Sequence, residues 1–98
     1  MIPPVGLQAV VLSSSTILLT WSDTSLGSNQ RITDHRYYTV RYNAKSARRF
    51  RSVNATDLNE HINELKPNTE YEFSVKVIKG RRQSTWSLSV FNKTFEDG

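Results

Sequence analysis

Between residues 71 and 78 every second side chain is large and apolar: Tyr71, Phe73, Val75 and Val77 alternate with Glu72, Ser74, Lys76 and Ile78. A period of two puts such side chains on one face of an extended strand, whereas a helix would scatter them around its axis. The same alternation sets Tyr38, Val40 and Tyr42 against Thr39, Arg41 and Asn43, and Ile17, Leu19 and Trp21 against Leu18, Thr20 and Ser22. Strands are expected at Leu7–Leu12, Thr16–Ser22, Tyr37–Ala44, Arg48–Val53, Glu60–Asn63, Tyr71–Ile78 and Ser87–Thr94. Turn formers separate them at Ser13-Ser14-Ser15, Asp23 to Asn29, Lys66-Pro67-Asn68 and Lys79-Gly80. Helical periodicity is hard to find. The pattern predicts an all-β fold, a seven-stranded antiparallel β-sandwich.

The chain has 98 residues, enough for one self-sufficient core and too few for two. We expect a single domain over 1–98, with its core at about 4–95. Cysteine is absent, which excludes disulfide scaffolds, zinc fingers and thiol chemistry. No apolar run reaches the roughly 20 residues of a membrane helix. Met1-Ile2-Pro3-Pro4 lacks the pattern of a signal peptide, so a secreted origin would make this a module excised from a longer protein.

Leu65-Lys66-Pro67-Asn68-Thr69-Glu70-Tyr71 is more specific than alternation. An apolar anchor and a proline turn precede a tyrosine that opens the strongest strand. This is the sequence form of a tyrosine corner, in which the hydroxyl bonds back to upstream backbone. With a buried Trp21 and the Tyr38-x-Val40 strand, the chain resembles a fibronectin type III domain along nearly its whole length. The resemblance implies an immunoglobulin-like topology. The first, second and fifth strands then form one sheet, and the seventh, sixth, third and fourth form the other.

The formal net charge is only +4, but it is unevenly placed. Residues 31–51 hold Arg31, Arg36, Arg41, Lys45, Arg48, Arg49 and Arg51 against Asp34 alone, and residues 76–82 hold Lys76, Lys79, Arg81 and Arg82 with no acid. These segments are neighbours in one sheet of the expected fold. Strand parity turns Arg41 and Lys76 outward. A basic stripe is therefore expected across the third, fourth and sixth strands. It should continue into the turn after the sixth, where Lys79, Arg81 and Arg82 meet Arg31 and Arg36. Closely spaced guanidinium forks such as Arg48-Arg49-Phe50-Arg51 suit sulfate and carboxylate, each of which offers two oxygens. Charge on an edge strand also deters sheet-to-sheet aggregation, so any one arginine here has a structural reading as well.

Arg81-Arg82-Gln83-Ser84-Thr85-Trp86-Ser87 looks like a shortened Trp-Ser-x-Trp-Ser element of cytokine-receptor sandwiches. The resemblance implies that Trp86 stacks on a cation of the adjacent strand, with Lys76 and Arg41 as the candidates. Trp21, Leu65, Tyr71 and Trp86 are accordingly read as structural.

Nothing points to catalysis. His35 and His61 have no metal-spaced partner, and no nucleophile elbow, phosphate loop or paired-carboxylate motif occurs. No cofactor and no metal are expected. A basic face is the electrostatic footprint of nucleic-acid binding, but single-strand binders interleave exposed aromatics with their cations. Here only Tyr37 and Phe50 fall on outward parity, so nucleic acid is not an expected partner. Asn54-Ala55-Thr56 and Asn92-Lys93-Thr94 are acceptor sequences for N-glycosylation. Asn54 falls in a polar connection and is the better acceptor, whereas Asn92 falls on the last strand.

Pro3 to Ala9, Asp34 to Arg41, Leu65 to Val75 and Lys79 to Ser87 are similar to the fifth fibronectin type III repeat of the DCC/neogenin family of netrin receptors. Asn43 to Glu64 departs from that pattern and is shorter and more basic. The resemblance implies the extracellular portion of a single-pass plasma-membrane receptor. It also implies adjacent type III repeats, and membrane contact only through the parent receptor. The implied partners are an extracellular guidance protein (netrin or repulsive guidance molecule) and heparan sulfate or heparin. On this reading the ligand-binding residues are Arg41, Arg48, Arg49, Arg51, Lys76, Lys79, Arg81 and Arg82. The alternative is a spacer repeat that touches no ligand.

Overall fold

The structure, a computed structural model, describes residues 1–97. The described residues form eight strands: β1 (Val5–Val11), β2 (Ile17–Ser22), β3 (Tyr37–Ala44), β4 (Arg51–Ala55), β5 (Asn59–Ile62), β6 (Glu70–Lys79), β7 (Arg82–Gln83) and β8 (Val90–Lys93). Every pairing is antiparallel. One sheet has the order β1-β2-β5. The other runs β4-β3-β6-β7, with β8 also paired to β6. Both sheets contain the strands that the resemblance assigned to them.

The inward residues of the three best strands meet between the sheets. Ile17, Leu19, Tyr38, Val40, Phe73, Val75 and Val77 are wholly buried, and Trp21, Tyr42, Leu65 and Tyr71 nearly so. Trp21 packs against Tyr38 with ring centroids 5.5 Å apart. Fully burying a side chain of this kind contributes about 1.5–3 kcal/mol, so this layer is the main source of stability. The tyrosine corner closes as the sequence implies: the Lys66 amide donates to the Tyr71 hydroxyl at 2.8 Å, with Leu65 buried beside it.

Three expectations need correction. The fourth strand is β4 at Arg51–Ala55, not Arg48–Val53, because its register is set by Tyr38–Tyr42 of β3, which face Ala55 to Arg51. Arg48 and Arg49 therefore lie in the preceding connection, and Asn54 sits on a strand instead of in a loop. The last strand, expected at Ser87–Thr94, is β8 at Val90–Lys93 alone, and a short strand β7 at Arg82–Gln83, in a segment read as turn, raises the count to eight.

Side-chain chemistry explains the gap between β7 and β8. Ser84 and Ser87 are buried beside β6. Their amides donate to the carbonyls of Val77 and Val75, as strand residues would. Their hydroxyls, instead of their carbonyls, accept from the Val77 and Val75 amides at 3.0 and 2.9 Å. Two serines thus satisfy the β6 ladder while the backbone between them follows another path.

Candidate functional site: the outer face of the five-stranded sheet

Thr39, Arg41, Ser74 and Lys76 project from β3 and β6 away from the core, and Arg41 stands opposite Ser74. The path taken by residues 84–87 lays Trp86 over this face. Its ring centroid is 4.3 Å from the Arg41 guanidinium and 4.8 Å from the Lys76 ammonium. The Phe50 ring centroid lies 4.9 Å from the same guanidinium. Arg41 Nε donates to Ser74 Oγ at 2.9 Å, and Lys76 Nζ to Gln83 Oε1 at 2.8 Å. This stack leaves Ser74 buried although its parity is outward. Of the proposed ligand residues, Arg41 and Lys76 therefore have their cationic groups held against aromatic rings, each such contact contributing about 0.5–1 kcal/mol at a surface.

The turn after β6 reaches the β2–β3 connection, but the charges there do not simply add. Arg36 was placed in the basic patch; it is buried. Its Nε and Nη2 each donate to an oxygen of Asp34 at 2.8 Å. Its Nη1 donates to Asp23 Oδ2 at 2.9 Å and to Ser25 Oγ. Asp34 also meets Lys79 Nζ at 3.2 Å. Asp23 is fully buried and in addition accepts from the hydroxyls of Tyr38 and Ser25. Gln30 closes the loop, accepting from the Asp23 amide and donating to the Asp23 carbonyl.

The electrostatics follow from these partners. Burial works against the Asp23 charge, but hydrogen bonds from Ser25, Tyr38 and Arg36 outweigh it and hold the carboxyl below the usual aspartate range. The Arg36 hydrogen bond is the main cause that holds Asp34 well below that range. The same bond, against the cost of burial, raises Arg36 above its ordinary value. Burial, then the bond to Asp23, pushes the Tyr38 hydroxyl up.

The remaining arginines fall into two groups. Arg81 is exposed on the turn after β6 and Arg82 at the start of β7, and Arg31 is exposed on the facing connection. Arg48, Arg49 and Arg51 are exposed at the opposite end of the sheet. None of the six pairs with a carboxylate among the described residues. Arg51 stands opposite Tyr42, so it lies on the core-side parity of β4 and not on the stripe with Arg41. The continuous stripe is thus two exposed clusters with a stacked, internally satisfied centre. Tyr37, opposite Ile78, and Tyr42, opposite Arg51, lie about 17 Å apart along β3 at 3.3 Å per residue, which sets the separation of the ends.

Asp23, Ser25, Gln30, Phe50 and Gln83 were not anticipated in these roles. The one available cue was Asp34-His35-Arg36, an acid and a base two residues apart. Among the described residues no group of His, Cys, Asp or Glu side chains converges to hold a metal. The two potential glycosylation sites also differ. Asn54 is exposed, and its Oδ1 accepts from Thr39 Oγ1, leaving Nδ2 free. Asn92 Nδ2 donates to the Ala9 carbonyl at 2.6 Å.

A sandwich with a tyrosine corner, no disulfide and this sheet order defines a class, and residues 2–93 match the model of the fibronectin type III domain; the chain belongs to that family, a non-enzymatic one. It is 54% identical to neogenin of Homo sapiens and of Mus musculus, and 44% identical to the netrin receptor DCC of Rattus norvegicus, in each case over 98% of this chain. The chain spans about 7% of the length of these relatives. Among solved structures it resembles the FN1–FN3 domains of chicken CNTN1 (TM-score 0.78, 23% identity, 95% of this chain and 32% of that one). It also resembles a myokine structure (TM-score 0.81, 21% identity, 97% and 98%). These structural likenesses speak to the fold alone. The sequence likeness is to extracellular repeats of single-pass plasma-membrane receptors of the DCC/neogenin kind, and that is the setting of this chain.

Proposed function

We propose that this repeat is a ligand-recognition module of a netrin-receptor-like ectodomain. It binds heparan sulfate, and with it a guidance protein of the netrin or repulsive-guidance-molecule class, through its exposed arginines. The observation that carries the reading is Arg81 and Arg82, both exposed where the turn after β6 enters β7, close to Lys79 and with no carboxylate partner among the described residues. The Asp34–Lys79 pair ties that turn to the β2–β3 connection, so the two guanidinium groups are presented from an anchored base. Exposed arginine–sulfate pairs contribute roughly 0–1 kcal/mol each, so binding needs several together and weakens with salt.

Heparin–agarose chromatography tests this. The wild-type domain should elute later than a charge-matched control, and Arg81→Ala/Arg82→Ala should elute earlier than wild type. Elution level with the control, or unchanged by the double substitution, rejects the proposal. A spacer role is the second reading, favoured by the number of cations already engaged internally: Arg36, Arg41, Lys76 and Lys79. On that reading, reversing the charge of Arg81 and Arg82 in the full receptor leaves ligand affinity unchanged.

A further inference from the structure

The other cluster of free arginines borders a cavity. A hollow of about 160 Å³ lies where the β3–β4 connection meets the β5–β6 connection, at the end of the sandwich away from Arg81 and Arg82. Its apolar lining comes from Tyr42, Leu65 and Tyr71, all buried, and its cations are Arg49, Arg51 and Lys66. Glu64 is the single acid on the wall. None of these four charged residues forms an ion pair among the described residues. The Tyr71 hydroxyl accepts from the Lys66 amide, yet neither it nor the Tyr42 hydroxyl donates to a protein acceptor among the described residues.

We infer that this cavity is a docking site for a partner protein's acidic loop, receiving one carboxylate side chain with its apolar stem. Three lines lead there. The lining sets three cations and two tyrosine hydroxyls that lack acceptors against Glu64 and the unpartnered Asn43 Oδ1, so donors outnumber acceptors and the balance favours an acceptor-only group, which an ionised carboxylate is. Its floor is apolar, which suits the methylene stem of glutamate or a neighbouring hydrophobic residue. Its size admits one side chain and falls short of the roughly 300–1,000 Å³ that holds a drug-sized molecule. Arg49 and Arg51 on its wall can each grip a carboxylate through two parallel hydrogen bonds. The site shares no residue with the Arg81–Arg82 turn and does not depend on the reading proposed for it.

The test is a titration of the nitrogen-15-labelled domain, followed by NMR, with the peptide acetyl-Gly-Leu-Glu-Leu-Gly-amide. Its Glu→Gln counterpart is the control. The acidic peptide should give saturable shifts at the amides of Ala44, Ala47, Leu65 and Lys66, and the control should give none. Arg49→Ala/Arg51→Ala removes exposed side chains and should weaken binding about tenfold, as expected for loss of a bidentate charged contact. Arg81→Ala/Arg82→Ala should leave it within about twofold. Equal shifts with the glutamine peptide, shifts confined to the turn after β6, or indifference to the Arg49/Arg51 change would each overturn the assignment.

Discussion

The guanidinium of Arg41 lies 4.3 Å from the centre of the Trp86 ring, although β6 runs between them. The ring bridges the two central strands of the sheet because Lys76 of β6 lies under the same indole. Trp86→Ala removes both contacts and uncovers Ser74. It should cost about 1–2 kcal/mol, two surface cation–π contacts together. The shift of the urea midpoint measures this, and a loss under about 0.3 kcal/mol would show that the stack contributes little to stability.

Asp23 offers a sharper test. Removing one partner of a buried ion pair costs about 3–5 kcal/mol, since the other is left uncompensated. Asp23→Ala should therefore destabilise the fold far more than Trp86→Ala. An effect below about 1 kcal/mol would mean that Asp34 alone satisfies Arg36.

Acid should unfold the domain through the same cluster. Asp23 and Asp34 are both held below the ordinary aspartate value of about 3.9. Below that value the unfolded chain binds more protons than the native one, so stability is full above about pH 5 and falls as the pH drops. Unfolding free energies should stay level from pH 6 to about pH 5 and fall from there to pH 3. In Asp34→Asn the slope should be shallower, and an identical slope would exclude Asp34 as a source.

Tyr71→Phe deletes a single oxygen and leaves the Lys66 amide without its acceptor. The bond is only partly buried, so its loss should cost about 0.5–1.5 kcal/mol, the net worth of a typical hydrogen bond, and denaturation should show a loss in that range. A neutral result would demote the tyrosine corner to packing alone.

Secretion from cultured cells separates the two acceptor sequences. Asn54→Gln should remove glycan mass, because Asn54 is exposed and its Nδ2 is free. Asn92→Gln should leave the mass unchanged and lower stability, because the Asn92 amide is committed to Ala9. Glycan found at Asn92 would contradict this ordering.

The sandwich was legible because its core strands carry uninterrupted alternation: Tyr38 to Tyr42 and Tyr71 to Val77 are buried on the parity that the pattern gives. The tyrosine corner was legible because it is local, with donor and acceptor five residues apart. What escaped depends on distant chain. Arg36 read as one more surface charge, since its burial requires Asp23, thirteen residues earlier, to be folded back by the Gln30 turn. The start of β4 followed the register of β3 and not the composition of residues 48–50. The gap between β7 and β8 turns on two serine hydroxyls replacing backbone carbonyls, a substitution no periodicity records. Because of these, an even stripe of charge resolved into two clusters with different surroundings.

The Asn92–Ala9 bond has a mechanical meaning. It joins β8 to β1, the last strand to the first, across the two sheets. A pull on the chain ends enters the domain through these strands. It must shear the β1–β2 and β6–β8 ladders while this amide clip holds the strands side by side. In a receptor that transmits traction, such a clasp would set the load at which the repeat begins to yield.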